Sequence, residues 1–559
     1  MIKKYIFLVF TVMTFLFCFG QSVFAEQAAE LDRESVKGED IIYISSYKNG
    51  GYVGSDDMAV FSAVNLDGYW EALGDMDFID YLYERLMAHE QEIMIDSYFY
   101  DRGEMNILEP MDFKPYFEAV LNLHPDLFFV GVYYEYYILP DGTIDSFVPD
   151  YLYSADEQAE IQKQIDAEAD RAMSYIKDGM TDADKALVIH EYFNNNYSYD
   201  YEGLNDDSNL AKFTMAQLFI DKTAVCQGFS YGYKYIMDKL GIPCDIVQSY
   251  SMQHIWNQIQ LSEGAENWYH IDTTNDNTMT DDAEGRSNRG IFLISDSKLK
   301  ASALGDVPYN SYEPDGRAAD VSYENLGLTD GLMNVSYADG YWYYSTNSGT
   351  IARCSLASGQ KEELASVAAD WRCTGGGGGA LIGTVFTVPS VYNGMIYYNT
   401  STQIRRYNPA DGSDTLVADM PEGVVIDRQA NVYRCIYDLK VSDNGVLSYT
   451  IADNDSLEGK KTYQVSLDGN NKAEVIVGPV NVSGSAVSVD VENDTPDSCR
   501  VRLAYYDESG RFISSSSAVV AGGEEKRIEG TMPAGAHDVS AFVWNNMMEP
   551  QCRLFSYEF

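Results

Sequence analysis

Residues 223–276 read TAVCQGFSYGYKYIMDKLGIPCDIVQSYSMQHIWNQIQLSEGAENWYHIDTTND, and this stretch determines the fold predicted for the centre of the chain. Aromatic and aliphatic residues recur at helical spacing from Gly228 to Leu240, and a Gly-Ile-Pro sequence ends the pattern. Cys226 is therefore predicted to lie at a helix N-terminus or next to one. The N–H groups and dipole of a helix stabilise a thiolate there and can donate to an oxyanion.

Three strands are predicted after this helix, at residues 245–250, 254–261 and 268–272. A polar turn joins the last two, which are expected to pair antiparallel and bring His254 close to Asp272. A thiol on a helix, an imidazole on a strand and a carboxylate on the next strand are the parts of a Cys-His-Asp triad. Cys226, His254 and Asp272 are therefore the candidate catalytic residues.

Several motifs here resemble the transglutaminase-like superfamily, which has a papain-like fold. They are AVCQGF at 224–229, GIP at 241–243, HIWN at 254–257 and WYHIDTT at 268–274, with KALVIHEYF at 185–193 and NYSYD at 196–200 as the lead-in. The resemblance implies that Cys226 is the nucleophile, that His254 acts as general base and then acid, and that Asp272 orients the imidazole. It also implies a thioester intermediate, formed from a carboxamide or peptide bond and resolved by water or by an amine.

One segment departs from the family pattern. Many relatives carry an aromatic-Gly-Ala-Leu sequence before the cysteine, whereas residues 213–218 read FTMAQL. No side-chain oxyanion donor is therefore assigned, and the backbone N–H of Cys226 is the expected donor. Hydrolysis is favoured over transamidation, since no amine-donor site is identified. The alternative is a non-catalytic cell-surface binding protein that uses the papain-like domain as a scaffold.

Residues 1–25 are predicted to be a secretory signal peptide, with two lysines, an apolar core and a small-residue cleavage site at Ala25. Cys18 follows Phe17, where a lipoprotein signal needs a small residue, so no lipid anchor is expected. No later apolar run is long enough to span a bilayer. The mature protein is expected to be secreted, and to be extracellular or associated with the cell surface.

The composition limits the partners and cofactors. With 86 acidic and 38 basic residues the net charge is −48, which disfavours nucleic acid and anionic membranes as partners. The expected partner is a protein or peptide substrate, and cell-wall or surface association is left open. No cofactor and no metal are predicted: no cysteine pair has zinc spacing, and the acidic residues 275–282 lack EF-hand spacing and are predicted to form a solvated turn.

The cysteines outside the signal peptide number seven, which permits one free thiol and up to three bridges. Cys244 follows the Gly-Ile-Pro sequence in an apolar strand and is predicted to be a core residue. His190 lies on a predicted amphipathic helix and is expected to be a packing residue rather than a second histidine of the site.

The predicted fold class is multidomain α+β: a papain-like core followed by propeller-like β repeats and a C-terminal β-sandwich. The repeats rest on Gly-aromatic strands after Gly340, Gly394 and Gly445, about 50 residues apart. Alternating apolar residues near the C-terminus indicate the sandwich. The predicted segments are a signal peptide at 1–25, an N-terminal α/β domain with a connector helix at 26–175, the catalytic domain at 176–310, the repeats at 311–478 and the sandwich at 479–559.

Within the N-terminal domain, the periodicity predicts helices over residues 77–87 and 113–123, strands over 92–98 and 132–138, and a connector helix over 155–177. A hairpin turn is predicted at residues 140–142, and a helix N-cap at 181–184. No catalytic constellation is found in this domain, which is expected to flank the catalytic core and to shape the substrate groove.

Overall fold

The computed structural model describes part of the chain. The described residues are 42–48, 75–203, 209–249, 252–262, 267–278, 286–304, 307–309, 316–374, 381–420, 425–427, 432–442, 444–455, 457, 459–467, 475–477, 480–493, 498–507, 511–544 and 555–557. The predicted signal peptide at residues 1–25 lies outside these ranges. So do residues 310–315, which contain the predicted boundary between residues 310 and 311, the glycine run at 375–379, and Cys552.

Contacts divide the chain into two compact units. One comprises described residues within Met1–Met279 and Gly290–Asn325, and the other comprises described residues within Thr280–Arg289 and Leu326–Phe559. The first unit mixes helices and strands, whereas strands dominate the second. In the described ranges, no helix combines the length and the apolar character needed to cross a membrane.

The helices of the first unit are α1 (Met76–Met87), α2 (Ile95–Arg102), α3 (Pro110–Leu123), α4 (Ala155–Met173), α5 (Asp182–Asn196), α6 (Met215–Asp221), α7 (Cys226–Lys239), α8 (Thr273–Thr278) and α9 (Asp296–Lys300). Its strands are β1 (Ile42–Lys48), β2 (Ile93–Met94), β3 (Val130–Ile138), β4 (Ile144–Tyr151), β5 (Ser198–Tyr199), β6 (Thr223–Ala224), β7 (Cys244–Ser249), β8 (His254–Gln260), β9 (Trp268–Ile271), β10 (Phe292–Ile294), β11 (Ala303–Leu304) and β12 (Val307–Pro308). Short 3-10 turns cover Pro125–Leu127, Leu210–Phe213 and Glu324–Leu326.

The N-terminal part of this unit forms an antiparallel sheet in the order β1-β3-β4-β2. The strand predicted over residues 92–98 is wrong after Met94, because α2 begins at Ile95. Gly103, with a φ of +72°, caps the C-terminus of this helix. Glycine adopts this left-handed conformation without strain and so stops a helix. The β-branched and aromatic residues of the segment favour a strand locally, but tertiary contacts fold most of it as a helix.

The central part of the unit is a second antiparallel sheet in the order β10-β9-β8-β7. The predicted pairing is confirmed, with Asn257 opposite Ile271. Helix α7 packs on this sheet: Ser230 Oγ donates to the carbonyl of Ile255 at 2.9 Å, and Asn257 Nδ2 donates to the carbonyl of Ser230 at 3.0 Å. These bonds fix the helix that begins at Cys226 against the strand that begins at His254.

Helix α5, the predicted lead-in helix, is capped as predicted. Thr181 and Asp184 form a capping box at the start of α5: the Thr181 side chain accepts from the N–H of Asp184, and the Asp184 side chain accepts from the N–H of Thr181. Such reciprocal bonds satisfy two backbone donors that a helix start otherwise leaves without partners.

The strands of the second unit are β13 (Ser336–Ala338), β14 (Tyr341–Ser345), β15 (Thr350–Ser355), β16 (Gln360–Ser366), β17 (Trp371–Thr374), β18 (Leu381–Thr384), β19 (Ser390–Tyr392), β20 (Met395–Asn399), β21 (Gln403–Tyr407), β22 (Asp414–Asp419), β23 (Val425–Asp427), β24 (Val432–Val441), β25 (Val446–Ala452), β26 (Lys461–Ser466), β27 (Val475–Val477), β28 (Asn481–Ser483), β29 (Ala486–Asn493), β30 (Cys499–Tyr506), β31 (Phe512–Val520), β32 (Glu524–Thr531), β33 (Asp538–Trp544) and β34 (Phe555–Tyr557). A 3-10 turn covers Leu328–Asp330.

Two four-stranded antiparallel meanders, β13 to β16 and β19 to β22, coincide with the first two sequence repeats. Each opens with a hairpin whose two turn residues have positive φ: Asp339 and Gly340 in one, Asn393 and Gly394 in the other. Such turns match the right-handed twist of the flanking strands, which is why Asp-Gly and Asn-Gly recur there. The repeat read from the sequence is therefore a repeated hairpin.

The third repeat enters a larger sheet. Gly445 has a φ of +76° and lies between β24 and β25, which pair antiparallel. The sheet runs β23-β24-β25-β26-β27-β29-β28, and β32 also pairs with β29. A separate four-stranded sheet has the order β31-β30-β33-β34.

The alternation predicted near the C-terminus is confirmed in β29 and β30. The alternate apolar side chains are buried in a common cluster, and they are Val487, Val489, Val491, Val501, Leu503 and Tyr505. Inward apolar residues alternate with residues facing the other side, as expected for strands with one buried face.

Candidate active site

Cys226 is the first residue of α7, as the sequence predicts. The residue before it, Val225, has an extended backbone and provides no side-chain cap. The N–H groups of the first helical turn are therefore not satisfied by the cap residue, and they add to the positive end of the helix dipole. Cys226 is partly accessible, whereas the thiols of Cys244, Cys435 and Cys499 are buried.

The start of α7 is packed tightly against the segment that precedes α6. A Cβ placed on Gly228 would come within 2.6 Å of Ala224 Cβ and 2.8 Å of the carbonyl oxygen of Thr214. Only a residue without a side chain fits this approach, because a backbone carbonyl cannot move aside as a side-chain tip can. Gly228 thus helps to fix the position of the neighbouring Cys226.

This packing predicts a difference between two glycines of the same helix. At Gly232 an added Cβ would meet side-chain tips of Leu218 and Phe219, at 2.8 and 3.1 Å, rather than backbone. We expect Gly228→Ala to lower the free energy of unfolding by about 1–3 kcal/mol more than Gly232→Ala, since alanine gains helix propensity equally at both positions. Urea denaturation of the two variants measures this difference, and equal losses would contradict it.

His254 and Asp272 meet in the interior of the first unit. His254 Nε2 lies 2.6 Å from Asp272 Oδ2, and both side chains are buried. The other carboxylate oxygen, Oδ1, accepts from the backbone N–H groups of Thr274 and Asn275 at 3.1 and 2.9 Å. The carboxylate is thereby held at the start of α8 with one oxygen directed at the imidazole.

The thiol of Cys226 is near enough to His254 to help raise the pKa of the imidazole. Because Nε2 faces Asp272, Nδ1 is the ring nitrogen available to the thiol. The three predicted residues are thus brought together in the order Cys226, His254, Asp272.

The charges in this cluster favour a protonated imidazole. Burial by itself lowers the pKa of His254, but the Asp272 carboxylate and Cys226 outweigh it and raise the pKa to about 10. Burial likewise raises the pKa of Asp272, yet the charge and hydrogen bond of His254 bring it below the ordinary value. A carboxylate beside an imidazolium keeps both groups charged near neutral pH.

The raised pKa of His254 predicts a specific pH dependence of stability. The stabilisation is complete below about pH 6.5, the unfolded-state value, and is lost as the pH rises through about 10. Between pH 7 and 10 the free energy of unfolding of the wild type should fall more than that of His254→Gln, by on the order of 1–3 kcal/mol. Chemical denaturation across this range measures it, and parallel curves would contradict the assignment.

Trp256 supports His254 from one side. The two rings lie 5.6 Å apart at an interplanar angle of 17°, and the indole Nε1 donates to His270 Nδ1 at 3.0 Å. Since an indole N–H can only donate, His270 Nδ1 carries no proton and its Nε2 can donate to Asp296 Oδ1, 2.8 Å away. The motif residues Trp256 and His270 are therefore linked to each other beside the candidate triad.

The sequence did not reveal a second buried pair. His190 Nε2 lies 2.9 Å from Asp276 Oδ2, and both side chains are fully buried. Asp276 also accepts from the N–H of Ile291, whose carbonyl accepts from the N–H of Asp272. His190 is thus packed within the core, as predicted, and it also bonds to α8, the helix that directly follows Asp272.

The solvated turn predicted over residues 275–282 is wrong for its first part. Asn275, Asp276 and Asn277 lie in α8 and are buried, while residues 279–285 lie outside the described part. Asn277 Nδ2 donates to the carbonyl of Tyr197 at 2.8 Å, so these polar side chains serve as internal bonds. In the described ranges, no group of three or more His, Cys, Asp or Glu side chains is arranged to hold a metal ion.

Cys244 is buried in β7, as predicted for a core residue, and burial raises the pKa of its thiol far above the usual range. A further side chain outside the predicted motifs reaches the site: the Tyr309 hydroxyl donates to Asp272 Oδ2. No sequence pattern marked Tyr309, which lies at the predicted domain boundary. Its hydrogen bond spans 37 residues.

Comparison with known proteins gives a family match for one part of the chain. Residues 170–273 match the transglutaminase-like superfamily. No curated protein matches the chain.

Solved structures give distant likenesses. A transglutaminase (TGase) crystal structure is 17% identical with a TM-score of 0.19, and the match covers 24% of this chain and 42% of that one. A DUF1425 family member from Shewanella sp. pv-4 is 16% identical with a TM-score of 0.12, over 19% and 94%. An oligogalacturonate lyase in complex with manganese is 9% identical with a TM-score of 0.17, over 40% and 64%. The family match lies within residues 170–273, and this segment of the chain is similar to the transglutaminase-like superfamily.

Proposed function

We propose that this protein is a secreted thiol enzyme that cleaves carboxamide or peptide bonds through Cys226, His254 and Asp272. The proposal is carried by one observation: a buried His254–Asp272 pair meets a partly accessible thiol at a helix start. Nucleophilic acyl transfer needs a thiol, here at a helix start, an imidazole beside it, and a carboxylate that orients the imidazole.

In the proposed reaction, the Cys226 thiolate attacks the carbonyl carbon of the substrate and the oxygen takes up the negative charge. The backbone N–H of Cys226 is the proposed donor to this oxyanion, helped by the positive helix end. The imidazolium of His254 then gives its proton to the leaving nitrogen, the C–N bond breaks, and a thioester remains on Cys226.

The second half of the reaction restores the enzyme. Neutral His254 takes a proton from a water molecule as the oxygen attacks the thioester carbon, and the C–S bond breaks to release the acid. Asp272 stabilises the imidazolium that forms and keeps the ring in place. An amine in place of water would give transamidation. We favour hydrolysis, because no amine-donor site is identified.

The remaining segments have proposed roles as well. We interpret the meanders β13 to β16 and β19 to β22 as propeller-like repeats and the two C-terminal sheets as a sandwich module. These modules would position the enzyme on an extracellular or cell-surface target. Export rests on the signal-peptide pattern of residues 1–25, and a signal peptide joined to a reporter tests it: export of the fusion supports the proposal, whereas retention in the cytoplasm contradicts it.

Glutamine-containing peptides incubated with the mature protein, with and without a fluorescent primary amine, test the activity. Mass spectrometry detects deamidated, cleaved and amine-coupled products together. We expect products that depend on Cys226, formed without the amine. Products that persist unchanged in Cys226→Ala would contradict the proposal. If, in addition, Cys226 of the wild type reacts no faster than an ordinary thiol, the non-catalytic scaffold alternative would be favoured.

A further inference from the structure

Tyr309 lies in the interior of the first unit, directly after β12. Its side chain is fully buried in an apolar cluster with Trp256, Ile294 and Leu299. Its backbone N–H donates to the carbonyl of Ser302 at 3.1 Å. Both its backbone and its ring are therefore fixed, and its hydroxyl has a defined position.

The Tyr309 hydroxyl and the His254 imidazole bind the same atom, Oδ2 of Asp272. The Tyr309 ring also meets Trp256 edge-on, with centroids 5.3 Å apart at 87°, and lies 6.2 Å from the His254 ring. Tyr309 thus contacts the carboxylate directly and covers the ring that stacks on His254.

The hydroxyl must be the donor in this bond. An ionised carboxylate only accepts hydrogen bonds. Burial and the negative charge of Asp272 both hold the pKa of Tyr309 well above its ordinary value, so the phenol keeps its proton at any physiological pH. A phenol that donates to a carboxylate favours the charged form of that carboxylate.

We propose that Tyr309 is a positioning residue for the Cys226–His254 pair, acting through Asp272. Without Tyr309, Oδ1 would still be held by the N–H groups of Thr274 and Asn275, but Oδ2 would have His254 as its one remaining described side-chain partner. The carboxylate could then tilt, and the imidazole with it. The inference rests on the proposed function of the site.

Removal of the hydroxyl alone tests this role. Tyr309→Phe keeps the ring and its packing on Trp256. We expect the rate of Cys226 alkylation by iodoacetamide, followed by mass spectrometry of its peptide, to fall about three- to ten-fold below pH 7. Above about pH 9 the rates should converge, since the thiolate then forms without help from His254.

Tyr233→Phe is the matched control. Tyr233 is also fully buried in this unit, but its hydroxyl donates to the carbonyl of Ala186 at 3.0 Å. Its alkylation profile should equal that of the wild type. An equal slowing in both variants would overturn the inference, because loss of any buried hydroxyl would then suffice.

A double-mutant cycle isolates the route through Asp272. In an Asp272→Asn background, Tyr309→Phe should have no further effect, and an undiminished effect there would overturn the proposal. If Tyr309→Phe does not fold, 3,5-difluorotyrosine at position 309 retains the donor. It should keep wild-type alkylation, and a slowed reaction would count against the inference.

These results separate the two proposals. If Cys226 alkylation is slower in His254→Ala but unchanged in Tyr309→Phe, only the role of Tyr309 is refuted. Unchanged profiles in both variants would refute the thiol–imidazole pair itself.

Discussion

Replacement of Cys226 by alanine should abolish the proposed activity, with a loss of roughly 10³-fold or more, because no other described thiol is placed to form the thioester. Cys244 is buried in β7, and Cys354, Cys435 and Cys499 are buried in the second unit. The fold should survive the change, since Cys226 is partly accessible and alanine is a good helix former.

Product formation from glutamine peptides measures this loss, and Cys244→Ala is the control. This substitution also removes a thiol. The thiol of Cys244 lies in the core, where it accepts a hydrogen bond from Asn257 Nδ2 at 3.5 Å. We expect Cys244→Ala to lower stability and to retain activity per folded molecule. Retained activity in Cys226→Ala would remove the basis of the mechanism.

Asp272→Asn should reduce the activity by about 10²–10⁴-fold while preserving the shape of the side chain. An amide cannot stabilise an imidazolium, and it can hold His254 in the wrong tautomer. The pKa of His254, now about 10, should fall, because the carboxylate is the largest influence that raises it. Turnover and an NMR titration of His254 measure the two effects.

Asp276→Asn is the matched control for this change. Asp276 lies one helical turn further along α8, is equally buried, and bonds to His190 rather than to His254. We expect a loss of activity of about ten-fold or less, with little change in the titration of His254. Equal losses in the two variants would mean that Asp272 acts by general support of α8.

The helix and strands of the central sheet could be predicted because their signals are local. Periodicity and the Gly-Ile-Pro stop defined α7, and the polar turn after β8 defined the pair that brings His254 to Asp272. The Gly-aromatic repeats at Gly340 and Gly394 could be predicted for the same reason. The hairpins that begin them, with two turn residues of positive φ in each, were not predicted.

The supporting contacts could not be predicted, because they join residues far apart in sequence. Tyr309 reaches Asp272 across 37 residues, and His190 reaches Asp276 across 86. The sequence around Tyr309 predicts a domain boundary, and the sequence around His190 predicts one face of a helix. Residues 275–277 show the same difficulty: their composition favours solvent, but their side chains satisfy buried groups.

The pH dependence of Cys226 alkylation in the wild type and in His254→Ala tests the central claim most directly. It needs no substrate and reports only whether the imidazole activates the thiol. We expect rapid alkylation of the wild type at pH 6, slowed about ten-fold or more in His254→Ala. Identical profiles in the two proteins, each rising with pH as for an ordinary thiol, would contradict the catalytic account.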